Sequence, residues 1–404
     1  MCFVKRIILW LCSLFPTQMR KIAYFIIPRD MININLNLTD PNQKRVLISY
    51  LSLLGVDVGK VTHANYHHFN QMINYFVNRG YCVDTCFCLD EKAFGRLKHN
   101  RYNLLIGFGK AFKSFCSQME INKRILFITE NNPEVVKARF NERLIYFKKR
   151  HPKMNTKTNY VRDEYFDKEQ LLLCDEIILM NSKFNAGSFG RYGKRLWTIN
   201  ANALFNKSYV FDEEQVRKWI PESKRRFLWF GSDGFIHKGC DIILDAFRQL
   251  PEYQVDFYGI SISENSMFKK LCPPNAHNCG RVNVQTEEFI EKVVSRHCFL
   301  LFPSCSEGMS TAVCTCMAHG IIPIVTKEAG FEPHSSILVL KDWTVEGLSS
   351  MIEKAASMRD DEILSLRVLA YNYAHDQFSL KKFSSQFASI MDRIIGDNNI
   401  SNEE

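Results

Sequence analysis

Residues 227 to 239, FLWFGSDGFIHKG, run from an apolar strand-like segment through Gly231 and Gly234 to Lys238, where helical spacing begins. Glycines admit a ligand close to the backbone, a helix start offers unpaired N–H groups, and a lysine adds a compact positive charge. Together they suit a diphosphate. Taken alone, the segment reads equally well as a βα turn with a solvated lysine. Residues 299 to 325, FLLFPSCSEGMSTAVCTCMAHGIIPIV, repeat the plan: a strand, Pro303, Glu307, Gly308, then Ser310 and Thr311 opening a helix. This loop would aim a carboxylate and helix-start N–H groups past the end of a strand, although a lone acid there ordinarily complements the helix dipole. Two such loops about seventy residues apart favour a shared ligand.

The elements that must position these loops follow from the hydrophobic pattern. From residue 45, short apolar β-rich runs alternate with segments of helical period, as in βα units around a parallel sheet. VLISYLSLL, YCVDTCFCL, NLLIGFG, RILFITE, EIILMNS and LWTINAN are strand candidates in the first half, with a helix through YHHFNQMINYFVNRG. The polar, proline-containing stretch 206–225 marks a domain boundary. Beyond it come the strands FLWFGS, YQVDFYG, CFLLFPS and IIPIVT, a helix from Lys238 to Leu250, and a helix N-capped by Thr286. Past residue 343 the pattern is helical until the polar tail DNNISNEE. The expected architecture is α/β, with two Rossmann-like domains facing an interdomain cleft and C-terminal helices. The expected divisions are an apolar and basic segment at 1–40, an acceptor-side domain at 41–210, a donor domain at 211–380, and a helix and tail at 381–404.

The second half resembles the donor-binding domain of the GT-B glycosyltransferases, specifically the retaining family four, also called group one. The match rests on Gly231 through Lys238 and Gly239, on Pro303, Ser304, Glu307 and Gly308, and on Met317, Ala318 and Gly320 before IIPIV. It is specific over roughly residues 227 to 332. In the first half, THANYHHF, ITENNPE and the ILMNS strand end are similar to the acceptor-side domain of a bacterial surface-polysaccharide branch. The resemblance implies that Lys238 binds the donor diphosphate, Glu307 the sugar hydroxyls, and the N–H groups of Met309, Ser310 and Thr311 a phosphate. It also marks two departures: Ser232 stands where the family often has Arg, and Thr315 where it usually has a second Glu that bonds the ribose.

Other groups are weaker candidates. His63, followed by His67 and His68, and Glu130 at the end of RILFITE are acceptor-side ligand or base candidates by position at the expected cleft. Gly107 and Gly109 fall short of a dinucleotide fingerprint, and no acidic cluster demands a metal. The 14 cysteines are scattered through 404 residues, so they form no disulfide framework and fit a reducing cytosol. Cys82, Cys86 and Cys88 read as strand and core residues.

Composition sets the outer bounds. With 46% apolar and 24% charged residues the chain is globular, which excludes disorder and collagen. Residues 1–205 hold 31 basic and 16 acidic side chains, and residues 206–404 hold 21 and 27. The basic half points to an anionic partner, a membrane surface or a phosphorylated acceptor, and no nucleic-acid-binding motif accompanies it. IILWLCSLF at 7–15 spans about 14 Å as a helix, too short to cross a bilayer core of about 30 Å. With IAYFII at 22–27 it reads as an interfacial anchor edged by Arg20, Lys21 and Arg29, or as helices packed on the protein itself.

The expected function is transfer of a sugar from a nucleotide-diphosphate-sugar donor to a glycan or lipid-linked acceptor in surface polysaccharide synthesis. It would take place at the cytoplasmic membrane face, without metal or other cofactor, and retention of configuration is implied by the resemblance. The alternatives are a silent sugar-nucleotide-binding subunit of an assembly complex, and an epimerase or phosphorylase of similar two-lobed shape.

Overall fold

The computed structural model describes residues 29–53, 56–57, 63–154 and 165–400. The expected interfacial anchor at 7–27 and the last four residues of the tail lie outside the described residues. Met31–Ile34 (β1), Arg45–Tyr50 (β2), Cys82–Phe87 (β3), Leu104–Gly107 (β4), Lys123–Ile128 (β5), Glu176–Met180 (β6) and Arg195–Ile199 (β7) form one sheet. Its strand order is β1, β3, β2, β4, β5, β6, β7. Arg226–Phe230 (β8), Gln254–Tyr258 (β9), Ala276–Asn278 (β10), Phe299–Phe302 (β11), Ile322–Val325 (β12) and Leu338–Val339 (β13) form the second, ordered β10, β9, β8, β11, β12, β13. Every pairing is parallel except that of β1 with β3. The chain is therefore α/β with two Rossmann-like sheets, as the alternating pattern implies. Strands such as LLIG, FLLF and IPIV are apolar at nearly every position because helices cover both faces of a parallel sheet.

Three local features depart from the sequence expectations. The 206–225 stretch contains the helix Glu213–Ser223, started by Asp212, whose Oδ1 accepts from the N–H of Glu214 at 2.9 Å and of Gln215 at 3.2 Å. Its polar surface hides the buried pair Val216 and Ile220, one helical turn apart. Thr286 stands at a helix start but caps nothing: its hydroxyl donates backwards to the Asn283 carbonyl at 2.7 Å. The helix expected from Lys238 begins at Cys240, with Gly239 at φ +75° as its N-cap, so Lys238 belongs to the preceding turn.

Two apolar cores hold the molecule together. One fills the first sheet and continues across one face of the second, through Leu228, Leu300, Phe302 and Val325. The other covers the opposite face, through Phe227, Trp229, Phe299, Leu301 and Ile324. The alternation is the period of two that a strand imposes. Helix Pro133–Arg150, from the first half, contributes Phe140 and Phe147 to the second core, and Arg150 pairs with Asp241 and Asp245 there. Helix Leu380–Ile400 crosses back to the first half, where Asp392 accepts from the Tyr75 hydroxyl at 2.7 Å and pairs with Arg79. It runs into the DNNI portion of the tail. The halves are thus tied by exchanged helices.

Candidate functional site

The second sheet reverses its winding direction between β8 and β11, which pair at Phe227 with Phe299 and at Leu228 with Leu300. Loops leaving the C-terminal ends of two such strands open a crevice between them. The two loops singled out by residue type are these two loops. They are also bonded to each other: the His237 carbonyl accepts from the Cys305 N–H at 2.8 Å and the Ser304 hydroxyl at 3.3 Å. A cavity of about 300 Å³ opens in front of them. Gly231, Ser232, Lys238, Glu307, Met309, Ser310, Thr311 and Thr315 line it from the second half, and His63 and Glu130 from the first. Gly234 and Gly308, both expected at the ligand, are not in its wall. Asn65 of THANYHHF and Thr129 of ITENNPE are, and so are Leu204, Val282 and Val284, which no motif marked.

Lys238 is only 7% exposed and, among the described residues, makes no ion pair. The turn that carries it is clamped from outside the motif: Glu264 Oε1 accepts from the N–H groups of Gly234 at 2.8 Å and Phe235 at 2.7 Å. These two amides are therefore satisfied internally. Glu264 lies about thirty residues downstream, and nothing in its spacing marked it. The Lys238 N–H closes the turn onto the Gly234 carbonyl at 2.7 Å. The amides that do remain open are on the other loop. Among the described residues, the N–H groups of Met309, Ser310 and Thr311 have no hydrogen-bond partner, and Ser310 at the helix start makes no side-chain cap.

Glu307 is held in place from several sides. Its Oε1 accepts from the Ser304 hydroxyl at 3.0 Å and lies 3.7 Å from His237 Nε2. Its backbone carbonyl accepts from Asn181 Nδ2 at 3.2 Å, across from the first half. His237 is itself buried, with Nε2 against the Ser306 carbonyl and Nδ1 3.3 Å from Cys305 Sγ. Burial pushes that thiol up to about 12, so Cys305 is an uncharged wall residue at neutral pH. Gly308 serves the contact between the halves: a Cβ there would lie 2.2 Å from the Thr129 carbonyl oxygen and 2.9 Å from that of Met180.

Thr315 lines the cavity, but its hydroxyl is committed within the protein. It donates to the Thr311 carbonyl at 2.7 Å and accepts from the Leu204 N–H at 3.0 Å, another link between the halves. One turn on, His319 Nδ1 lies 2.7 Å from the Thr315 carbonyl, and Nε2 accepts from the Asn206 N–H at 3.2 Å. Burial lowers its pKa to about 4. His63 is the N-cap of helix Ala64–Asn78, its Nδ1 accepting from the Asn65 N–H at 3.3 Å, and its ring also reaches the cavity wall. His68 is buried away from the cavity, stacked on Phe383 at 4.3 Å, and accepts from the Asn202 N–H. Among the described residues, no three His, Cys, Asp or Glu side chains are placed to hold a metal ion. Cys82 and Cys86 are buried on β3, and Cys88 is buried just after it.

Solved structures share this arrangement over most of the chain. A sucrose-phosphate synthase from Thermosynechococcus elongatus superposes with a TM-score of 0.63 at 12% identity, over 88% of this chain and 100% of that one. Anabaena HepE, in complex with UDP and glucose, gives 0.57 at 13% identity over 87% and 100%. WaaG, described as a glycosyltransferase involved in lipopolysaccharide biosynthesis, gives 0.56 at 14% identity over 86% and 99%. The fold is GT-B. No family model matches the chain, and no curated protein does. At such identities the likeness is one of architecture, and a GT-B fold can carry more than one chemistry. What this GT-B cleft does must be argued from the side chains that line it.

Proposed function

We propose that this chain is a glycosyltransferase that moves a sugar from a nucleotide-diphosphate-sugar donor to a glycan or lipid-linked acceptor. The observation that carries the reading is Lys238: a lysine that is 7% exposed as a residue, without an ion-pair partner among the described residues, lining the cleft at the switch point of the second sheet. With its stem packed in the protein and its ammonium unpaired in the cavity wall, the lysine offers a compact positive charge to an anion that enters. The open N–H groups of Met309, Ser310 and Thr311 line the same cavity and suit the same anion. In sugar transfer, negative charge develops on the departing diphosphate, and these fixed donors would stabilise it there without metal assistance. Glu307, fixed by Ser304, would hold donor sugar hydroxyls, and His63 and Glu130 face them from the acceptor side.

The solved neighbours support the reading in kind, since HepE is described with UDP and glucose and WaaG as a glycosyltransferase of lipopolysaccharide synthesis. Retention of configuration and a place in surface-polysaccharide synthesis belong to the same proposal. So does peripheral attachment at the cytoplasmic membrane face, for which the basic first half and the short apolar runs of the N-terminus are the support. No helix among the described residues is long and apolar enough to cross a membrane.

The test is a donor panel with and without cell-envelope glycan and glycolipid acceptors. Nucleoside diphosphate released only when an acceptor is present supports transfer. Binding without turnover across the panel would leave a sugar-nucleotide-binding subunit in its place.

A further inference from the structure

Beside the cleft lies a larger cavity, of about 510 Å³, that shares no lining residue with it among the described residues. Its size is within the range of small-molecule sites. The helix Glu213–Ser223 lines it with Gln215 and Trp219, one turn apart on one face. Glu287, Ile290 and Glu291 line it from a second helical stretch, again at the spacing of a single face. Ile290 and Glu291 open a π-helical turn, Ile290–Val294, closed by the Ser295 N–H on the Ile290 carbonyl at 2.9 Å. Such wide turns are rare and recur at functional sites. Ser208 and Asp212 complete the wall from the segment that carries the chain between the halves.

Trp219 is half-buried and packs against both apolar cores, so its ring is a fixed, flat surface. Among the described residues, its indole N–H and the side chains of Gln215 and Ser208 have no hydrogen-bond partner, and Asp212, Glu287 and Glu291 form no ion pair. Asp212 already accepts two helix-start amides on Oδ1, which leaves Oδ2 for a ligand. No cationic side chain among the described residues lines this cavity, so an anion entering it would meet only like charge. An ammonium would satisfy the carboxylates but, being a donor only, would leave the indole N–H and the Gln215 N–H groups without an acceptor. A sugar hydroxyl both donates and accepts. A pyranose ring also has a C–H face to lay on an indole, with its hydroxyls around the rim.

We propose that this cavity is a second binding site, outside the cleft, for a neutral oligosaccharide. Trp219 stacks on a sugar ring, and Asp212, Glu287 and Glu291 accept from its hydroxyls. The site touches the cleft through Asn206, which lines the new cavity and donates from Nδ2 to the Val284 carbonyl at 2.8 Å, while Val284 lines the cleft. Sugar binding here does not depend on the transferase reading above.

Calorimetry on the intact protein tests it, with neutral trisaccharides of glucose, mannose, galactose and N-acetylglucosamine as probes and with UDP, GDP and spermidine as controls. At least one trisaccharide should bind the wild type. Its affinity should fall about ten-fold or more in Trp219→Ala and in the double variant Glu287→Ala, Glu291→Ala, the usual effect of losing a stacked ring or hydrogen bonds to charged groups. Affinity for UDP and GDP should be unchanged in both. Trp219→Ala loses core contacts, so the double variant, altered only at exposed positions, decides the matter if Trp219→Ala does not fold. Three results would overturn the proposal: no trisaccharide bound by the wild type, binding that survives the double variant and so belongs to the cleft, or spermidine bound more tightly than every trisaccharide, which would leave an acidic cation site. If neither UDP nor GDP binds the wild type while a trisaccharide does, the transferase reading fails and this one stands.

Discussion

Lys238→Met should weaken nucleoside diphosphate binding while leaving the stability of the ligand-free protein little changed. At about 4 Å and an effective dielectric near 20, a lysine and a phosphate charge attract by about 4 kcal/mol before desolvation. After both groups are removed from water, a charge-assisted contact retains about 1.5 to 3 kcal/mol, or roughly ten- to a hundred-fold in affinity. The stability of the ligand-free protein should change little. Lys238 is 7% exposed as a residue and makes no ion pair among the described residues, so removing its charge breaks no ion pair of the fold. Methionine fills a similar volume and keeps the packing of the stem. Calorimetry with UDP and GDP, beside thermal melts of the ligand-free proteins, reads both effects at once. Unchanged affinity, or a variant whose melting temperature falls by several degrees, would refute the reasoning, because Lys238 would then serve the fold and not a bound anion.

Glu307→Gln should remove most turnover while nearly preserving diphosphate affinity, since Gln can still accept from Ser304 but carries no charge toward sugar hydroxyls; kinetics beside calorimetry checks the split, and full activity would leave Glu307 a dipole cap. Thr315→Val should cost about 1 to 3 kcal/mol in urea unfolding by stranding the Leu204 N–H, and Thr315→Glu should destabilise further without tightening nucleotide binding. Acid should destabilise the protein: His319 is held neutral by burial with a pKa near 4, and an unfolded histidine titrates near 6.5, so the stability present above pH 6.5 is lost as pH falls toward 4. His319→Gln should flatten the dependence of unfolding free energy on pH in that window. Vesicle flotation checks membrane attachment: binding to anionic vesicles and not to neutral ones, weakened by salt, is expected, and equal or absent binding to both refutes it.

The two loops were legible because each is written locally: an apolar strand, a glycine or proline break, a charged residue, then helical spacing. That they meet was legible only as an inference from their order, and the pairing of β8 with β11 supplies the physical reason. What escaped depends on partners far apart in the chain. Glu264 clamps Gly234 and Phe235 across about thirty residues, and Asn181 holds the Glu307 carbonyl across 126. β1 escaped because MINI is four residues long and lies antiparallel at a sheet edge, where no βα pattern announces it. The helix Glu213–Ser223 escaped because its buried face needs only Val216 and Ile220 to pack, leaving the rest of the segment as polar as a linker.

Gly308 shows why residue type alone underdetermines a role. A glycine beside an acid at a helix start suggests space for a ligand, since only glycine lets a backbone come so close. The space is needed, but it is taken by the Thr129 and Met180 carbonyls of the first half, and Gly330 presses on Gly308 from the other side: a Cβ on Gly330 would fall 1.5 Å from the Gly308 oxygen. The loop carrying Glu307 is therefore wedged between its own sheet and the ends of β5 and β6. Asn181 fastens the same loop from the first half, and Thr315 fastens the following helix to Leu204. Glu307 thus has its backbone held from both halves at once, while its carboxylate is fixed by Ser304 and His237 within the second. The loop that carries the proposed sugar-binding carboxylate is therefore aligned by contacts from the first half, although the carboxylate itself is aimed from the second.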